Sequence, residues 1–121
     1  MAEILIIDDE PEVVVLTKKA LEKEGHNVLE AMDGKEGMTI LTDKNPDLIL
    51  LDVMLKGENG WEICRRIKSD EKTKDIPVLM FTVLTNAHEK KKSLECADGQ
   101  IDKPFKIKTL LNTVSEFANP T

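Results

Sequence analysis

Leu48-Ile49-Leu50-Leu51 run without interruption into Asp52. An apolar run with no polar alternation reads as a strand covered on both faces, the habit of a parallel sheet. Ile4-Leu5-Ile6-Ile7 after Glu3 repeats the signal and closes on Asp8-Asp9-Glu10-Pro11. Pro77-Val78-Leu79-Met80-Phe81 repeats it again and ends on Thr82. Two weaker strands are predicted, one from His26 to Ala31 around Val28 and Leu29, the other from Asp98 to Asp102 around Ile101. Between these runs the period changes. Val13, Leu16, Ala20 and Leu21 recur at helical spacing from Glu12 to Glu24, with Pro11 and its preceding acids suited to the helix start and Gly25 to its end. After the Asp33-Gly34 turn a second helix runs to about Lys44 and buries Met38 and Leu41, and Asn45-Pro46-Asp47 breaks it.

Lys56-Gly57-Glu58-Asn59-Gly60 is a loop by composition. A third helix from Trp61 to Lys68 turns Ile63, Cys64 and Ile67 inward, and Ser69 to Asp75 is a charged connector. A polar fourth helix covers about Asn86 to Glu95, with Leu94 as its anchor and Lys90-Lys91-Lys92 in the middle. Ile107, Leu110, Leu111 and Val114 pattern a final helix, followed by an Asn119-Pro120-Thr121 tail. Strand then helix, five times over, predicts an α/β fold: an open parallel sheet with helices on both faces. Ligands of such sheets bind outside the carboxyl ends of the strands, where strand order reverses.

Composition narrows the class. The 121 residues suit one domain, 1–121, and 40% hydrophobic content supports one core. No stretch reaches the ~18 apolar residues of a membrane span, and Met1-Ala2-Glu3 opens no secretory signal. The net charge of −6 argues against direct nucleic-acid binding by this domain. Cys64 and Cys96 lie far apart in the chain without metal-ligand spacing, so buried thiols of a reducing cytoplasm are expected.

The residues that follow each strand carry the candidate chemistry. Asp8 and Asp9 follow the first strand, Asp52 the third, Thr82 the fourth and Lys103 the fifth. Each alone is an ordinary cap, turn or surface residue. Gathered at one edge they form an oxygen-rich cation site with an anion-binding lysine and hydroxyl. Clustered carboxylates repel one another unless a cation joins them, and oxygen ligands with spare room suit Mg²⁺. That set fits phosphoryl transfer with an aspartate as nucleophile. No Gly-rich phosphate loop is present, so a nucleotide is not the expected donor.

Ile4-Leu5-Ile6-Ile7-Asp8-Asp9-Glu10-Pro11, Asp47-Leu48-Ile49-Leu50-Leu51-Asp52-Val53-Met54-Leu55 with Gly60 after it, Thr82, and Lys103-Pro104-Phe105 resemble the receiver domain of two-component response regulators. The resemblance covers essentially the whole chain. It implies a flavodoxin-like (βα)5 fold with strand order 2-1-3-4-5. It implies that Asp52 is the phosphoacceptor, charged by a sensor histidine kinase or phosphotransfer protein. It further implies that Asp9 ligates Mg²⁺ directly, that Asp8 holds it through water, and that Asp52 and the Met54 carbonyl complete the protein ligands. Lys103 and the Thr82 hydroxyl would contact the phosphoryl group, and the Lys103-Pro104 bond would be cis.

Three positions depart from the family pattern. Val83 replaces a small residue after the threonine, Gln100 replaces an aromatic residue three before the lysine, and Lys56 replaces a proline. They imply altered kinetics or an altered switch. Lys90 to Lys92 read first as a solvated face and second as a docking site for an acidic partner. Trp61 reads as a packing residue or part of a kinase-docking surface. His26 and His88 have no paired ligands. The leading functional expectation is therefore a cytoplasmic, non-enzymatic signalling switch with at most weak self-catalysed phosphorylation and dephosphorylation. Its state would pass to a downstream protein or effector domain through the face of the fourth helix, fifth strand and fifth helix. No membrane partner is expected, and a phosphorylation-linked dimer is compatible with that face. The alternatives are a pseudo-receiver that binds partners without phosphorylation and a small aspartate-nucleophile phosphatase, for which Glu10 is the only nearby acid or base.

Overall fold

The computed structural model describes residues 2–55, 57–82, 95–103 and 105–118, with the Thr82 side chain excepted. The predicted fourth helix up to Leu94, Val83, Lys56, His88, the lysine run and Pro104 with its peptide bond lie outside the described residues. Strands β1 (Glu3–Ile7), β2 (Asn27–Ala31), β3 (Leu48–Asp52), β6 (Val78–Thr82) and β7 (Gly99–Asp102) form one parallel sheet in the order β2-β1-β3-β6-β7. Counted by sheet strands alone, that is the expected 2-1-3-4-5 order. Helices α1 (Pro11–Lys23), α2 (Gly34–Asp43), α3 (Gly60–Ser69) and α4 (Ile107–Ala118) surround it.

The unbroken apolar runs exist because both faces of the sheet are covered. Side chains alternate across a strand, so each run divides into two sets. Leu5, Ile7, Ile49 and Leu51 join Leu41 of α2 and Ile63, Cys64 and Ile67 of α3. Ile4, Ile6, Leu48 and Leu50 join Leu21 of α1 and Leu110 and Val114 of α4. All five residues of β3 are buried. Each fully buried leucine or isoleucine stabilises the fold by about 1.5–3 kcal/mol. In β1 and β3 these contributions hold the strands in a fixed register, so the residues at their ends are positioned rigidly.

Two local expectations change. Leu16 shares a helical spacing with Val13, Ala20 and Leu21, but it is half exposed, as is Val15, while Thr17 and Leu21 are buried and Val13, Val14 and Ala20 pack partly. Four consecutive apolar residues, Val13 to Leu16, encircle a full helical turn, so their spacing alone does not choose a face. The loop expected after Leu55 is instead a short hairpin, β4 (Met54–Leu55) paired antiparallel with β5 (Glu58–Asn59) around Gly57 at φ 74°. Gly57, Glu58 and Asn59 have loop composition, but the left-handed glycine closes a tight turn.

The hairpin feeds directly into α3. Asn59 caps that helix by accepting from Trp61 N at 2.8 Å, and Gly60 N donates to Val53 O at 2.9 Å. A Cβ on Gly60 would fall 2.3 Å from Asp52 O and 2.7 Å from Val53 Cα. Both are backbone atoms that cannot swing aside. Glu58 reaches across to α2, where its Oε1 accepts from Gly34 N at 2.9 Å. Gly60→Ala is expected to lower unfolding free energy in urea by about 2 kcal/mol or more through this backbone clash. A cost under about 0.5 kcal/mol would show that α3 moves away freely.

Candidate functional site

The carboxyl edge of the sheet brings three of the five predicted residues into contact. Asp8 leaves β1, Asp52 ends β3, and Lys103 follows β7. Lys103 Nζ donates to Asp8 Oδ2 at 2.9 Å, to Glu10 Oε1 at 2.8 Å and to Asp52 Oδ2 at 3.3 Å. An ammonium has three N–H donors, and all are engaged. The lysine side chain is only 7% exposed, against 0% for Asp8, 5% for Asp52 and 57% for Glu10. Stacked Phe81 and Phe105, 5.4 Å apart, stand beside it, with Lys103 Nζ 5.8 Å from the Phe81 ring centre.

The second oxygen of each buried carboxylate is held by backbone. Asp8 Oδ1 accepts from Glu10 N at 2.9 Å, and Asp52 Oδ1 accepts from Met54 N at 3.0 Å. Both are turn bonds made by an aspartate two residues ahead of the donor. They fix the carboxylate planes, so Oδ2 of each faces Lys103.

Electrostatics follow from burial. Loss of solvent pushes the Asp8 carboxyl up from 3.8 to about 6, although the Glu10 backbone bond and the Lys103 ammonium pull the other way and Asp52 adds to the rise. Burial by itself lowers the Lys103 pKa, but its bonds to Glu10 and Asp8 and the charges of Asp8 and Asp52 outweigh that, and the net direction is up. Lys103 therefore stays an ammonium. One cation faces three acids. Carboxylate oxygens of Asp8, Glu10 and Asp52 lie within 4.8 Å of one another, a donor set that could hold a metal ion. Hard oxygen donors with an uncompensated negative charge fit Mg²⁺.

Asp9 follows Asp8 at the same edge. It is half-buried and, with Asp8, lines a cavity of about 300 Å³ beside Pro11, Val14 and Met32. Thr82 ends β6 in register with Asp102, next to Phe81, whose partner is Ile101. Its hydroxyl lies outside the described side chains. Met54 places its backbone N on Asp52 while its side chain is exposed. Gln100 sits on the edge strand β7, with Nε2 3.3 Å from Asp102 Oδ1 and a buried Oε1 that finds no partner among the described residues. His26 serves the fold, accepting from Ala2 N at 3.1 Å through Nδ1.

Glu10 is the member of the cluster that its sequence position obscured. As the third acid in a row before Pro11 it resembles a helix cap, yet α1 has no side-chain cap there because the Glu10 carboxylate turns to Lys103. Phe105 follows Lys103-Pro104 in the sequence. Its stacking on Phe81 is a tertiary contact with no local signal.

A parallel sheet of this order, with an acidic, lysine-bridged cluster at its carboxyl edge, defines the class of flavodoxin-like, CheY-like domains. The family model "Response regulator receiver domain" matches residues 4–115, and the chain belongs to that family. The DNA-binding dual master transcriptional regulator RpaA of Synechocystis is 41% identical over 115 residues, covering 94% of this chain and 48% of that protein. The phosphate regulon transcriptional regulatory protein PhoB of Pseudomonas aeruginosa is 43% identical over 109 residues, covering 89% and 48% respectively. The chain thus spans about half the length of these relatives. Among solved structures, the signal receiver domain of a signal transduction histidine kinase from Syntrophus aciditrophicus aligns with TM-score 0.90 at 33% identity, over 100% of this chain and 95% of that one. Vibrio cholerae chemotaxis protein CheY4 aligns with TM-score 0.90 at 29% identity, over 97% and 98%. The chain is a two-component signalling receiver, a class that works between histidine kinases and effectors. No helix among the described residues is long and apolar enough to cross a membrane.

Because folding raises the Asp8 pKa from 3.8 to about 6, native ionisation of this group opposes folding progressively as pH climbs through that interval. Without divalent cations, Asp8→Asn is therefore expected to be more stable than the wild type by about 3 kcal/mol at pH 8. The gain should shrink as pH falls through 6 and be gone below 3.8. Urea unfolding at the two pH extremes measures it, and a variant less stable than wild type at pH 8 would reverse the sign.

Proposed function

We propose that Asp52 is the phosphoacceptor of this receiver and that Mg²⁺ is its cofactor. The observation that carries the reading is the three-way hydrogen bonding of Lys103 to Asp8, Glu10 and Asp52 at the sheet edge. The Asp52 Oδ2 contact is the longest of the three, so that oxygen is the most readily released. With Oδ1 held by Met54 N, Oδ2 attacks the phosphorus of a phosphohistidine or a small acyl phosphate. One P–O bond forms, the donor's bond to phosphorus breaks, and the donor leaves with the electron pair. Lys103 transfers its N–H donors from carboxylate to phosphoryl oxygens and keeps its charge throughout. Phe81 and Phe105 restrict water beside the ammonium.

Asp8, Asp9 and Asp52, with the Met54 carbonyl, would hold the metal ion, and the proximity of Glu10 adds a fourth carboxylate to the neighbourhood. The bound cation would offset negative charge on the acids and the phosphoryl oxygens. The Thr82 hydroxyl is assigned to the phosphoryl group from its place at the end of β6. The state of Asp52 would reach partners through β7, α4 and the segment between β6 and β7, by a shift between two populations. We assign the partners as a histidine kinase or phosphotransfer protein upstream and an effector downstream, in the cytoplasm, with no direct nucleic-acid contact by these residues. The domain would be a switch and not an enzyme, since its described acids and lysine are mutually engaged around Asp52.

Incubation with acetyl phosphate and Mg²⁺ is expected to add one phosphoryl mass that hydroxylamine removes and that Asp52→Ala abolishes. Wild-type protein that takes up nothing would sink the reading, and rapid turnover of phosphate esters would make the domain a hydrolase. Beryllofluoride should change Trp61 fluorescence in the wild type alone. Mg²⁺ at ten times its dissociation constant should raise folding stability by about 1.4 kcal/mol. An unchanged melting midpoint at high millimolar Mg²⁺ would remove the metal from the proposal.

A further inference from the structure

Two thiols that are remote in sequence meet on the side of the sheet covered by α2 and α3. Cys64 is fully buried on α3, and Cys96 is half-buried in the helical turn Glu95-Cys96 that leads toward β7. Cys96 packs against the core cluster that contains Cys64, so its thiol neighbours the Cys64 thiol. The elements that carry them are clamped together by different groups. Lys68, one turn beyond Cys64 on α3, pairs with Asp98 Oδ2 at 2.7 Å, two residues past Cys96. The same Asp98 oxygen accepts from Val78 N at 2.8 Å, and Lys68 also donates to Ile76 O at 2.8 Å. The two segments that carry the thiols are therefore held together by an ion pair and two bonds to backbone.

The two sulfurs differ in access. A cleft of about 580 Å³ is lined by Cys96 with Trp61, Arg65, Lys68 and Asp98, whereas Cys64 is fully buried and does not line it. Burial, then the Cys96 contact, pushes the Cys64 thiol up, so Cys64 does not start the chemistry. We propose that peroxide closes Cys64 and Cys96 into a reversible intramolecular disulfide, a covalent modification that ties α3 to the segment entering β7. Cys96 Sγ attacks one peroxide oxygen, the O–O bond breaks, and water leaves with the thiol proton, giving a sulfenic acid. Cys64 Sγ then attacks Cys96 Sγ, the S–O bond breaks, and the hydroxyl leaves as water with the Cys64 proton. Two thiols and one peroxide become one disulfide and two waters. A dithiol reductant reverses the closure. The proposal is independent of phosphorylation at Asp52, although both joined elements border that site: α3 begins against the Asp52 backbone, and β7 continues to Lys103.

The test is hydrogen peroxide treatment of the full chain in native buffer, followed by alkylation and non-reducing peptide mapping. The expected product is a monomer that has lost two hydrogens and both alkylation sites, carries a Cys64–Cys96 linked peptide, and is restored by dithiothreitol. Prepositioning should make closure at least ~10-fold faster than in the urea-unfolded chain. Cys96→Ser should leave Cys64 a free thiol at the same peroxide dose, while Cys64→Ser should leave a Cys96 sulfenic acid that dimedone traps. Both thiols still alkylating in treated wild type, links only between chains, or equal rates in native and unfolded protein would overturn the proposal. Oxidation of Cys64 in Cys96→Ser at the wild-type rate would overturn the order of attack.

Discussion

Asp8 and Asp52 terminate strands that are buried on both faces, and that burial makes a single lysine indispensable. A carboxylate leaving a two-sided strand loses solvent on several sides, and two such groups at adjacent strand ends repel one another. Lys103 arrives from the far strand of the sheet and bridges both, with Glu10 taking its third donor. The sheet order matters here. Since β1 and β3 are neighbours and β7 is two strands further, only a long side chain can span the gap from the edge. The same burial that stabilises the core therefore creates the charge imbalance, and the imbalance is the property that attracts a cation or a phosphoryl group.

This balance is deliberately incomplete in a physical sense: three acids face one ammonium. The Asp8 pKa of about 6 expresses chiefly the loss of solvent around its carboxyl, to which the Asp52 charge adds. Such conflict is common at functional sites, where local stability is given up for chemistry. The Asp52 oxygen nearest Lys103 is also its most loosely held contact, so a ligand at this edge competes with a hydrogen bond that is easy to replace.

The site is braced from outside by contacts that follow no chain order. The β4–β5 hairpin links Met54 N to Asp52, Gly60 N to Val53, and Glu58 to the start of α2. Gly60 is required because α3 starts in contact with the backbone of Asp52 and Val53. Toward the far end of the same helix, Lys68 pairs with Asp98. Thus α3 spans from the carboxylate site to the entrance of β7, and its two ends report on different chemistry.

Much of this was legible in the sequence. Unbroken aliphatic runs identified β1, β3 and β6, since only two-sided burial tolerates no polar alternation, and the strand–helix repeat implied the parallel sheet and its carboxyl edge. Asp8, Asp52 and Lys103 could be named because each ends or directly follows a strand. The inward face of α1 was not legible, because Val13 to Leu16 are apolar all the way round a turn and only packing on the sheet selects Thr17 and Leu21. Nor was the hairpin, whose residues share the composition of a loop. Glu10 joining Lys103, Phe105 stacking on Phe81, and Lys68 pairing with Asp98 are contacts between residues distant along the chain. Local sequence determines periodicity, turn chemistry and which side chains end each strand. Which of those ends meet, and with what charge and solvent around them, depends on the register and order in which buried strands pair, and that was decided only when the sheet closed its two faces.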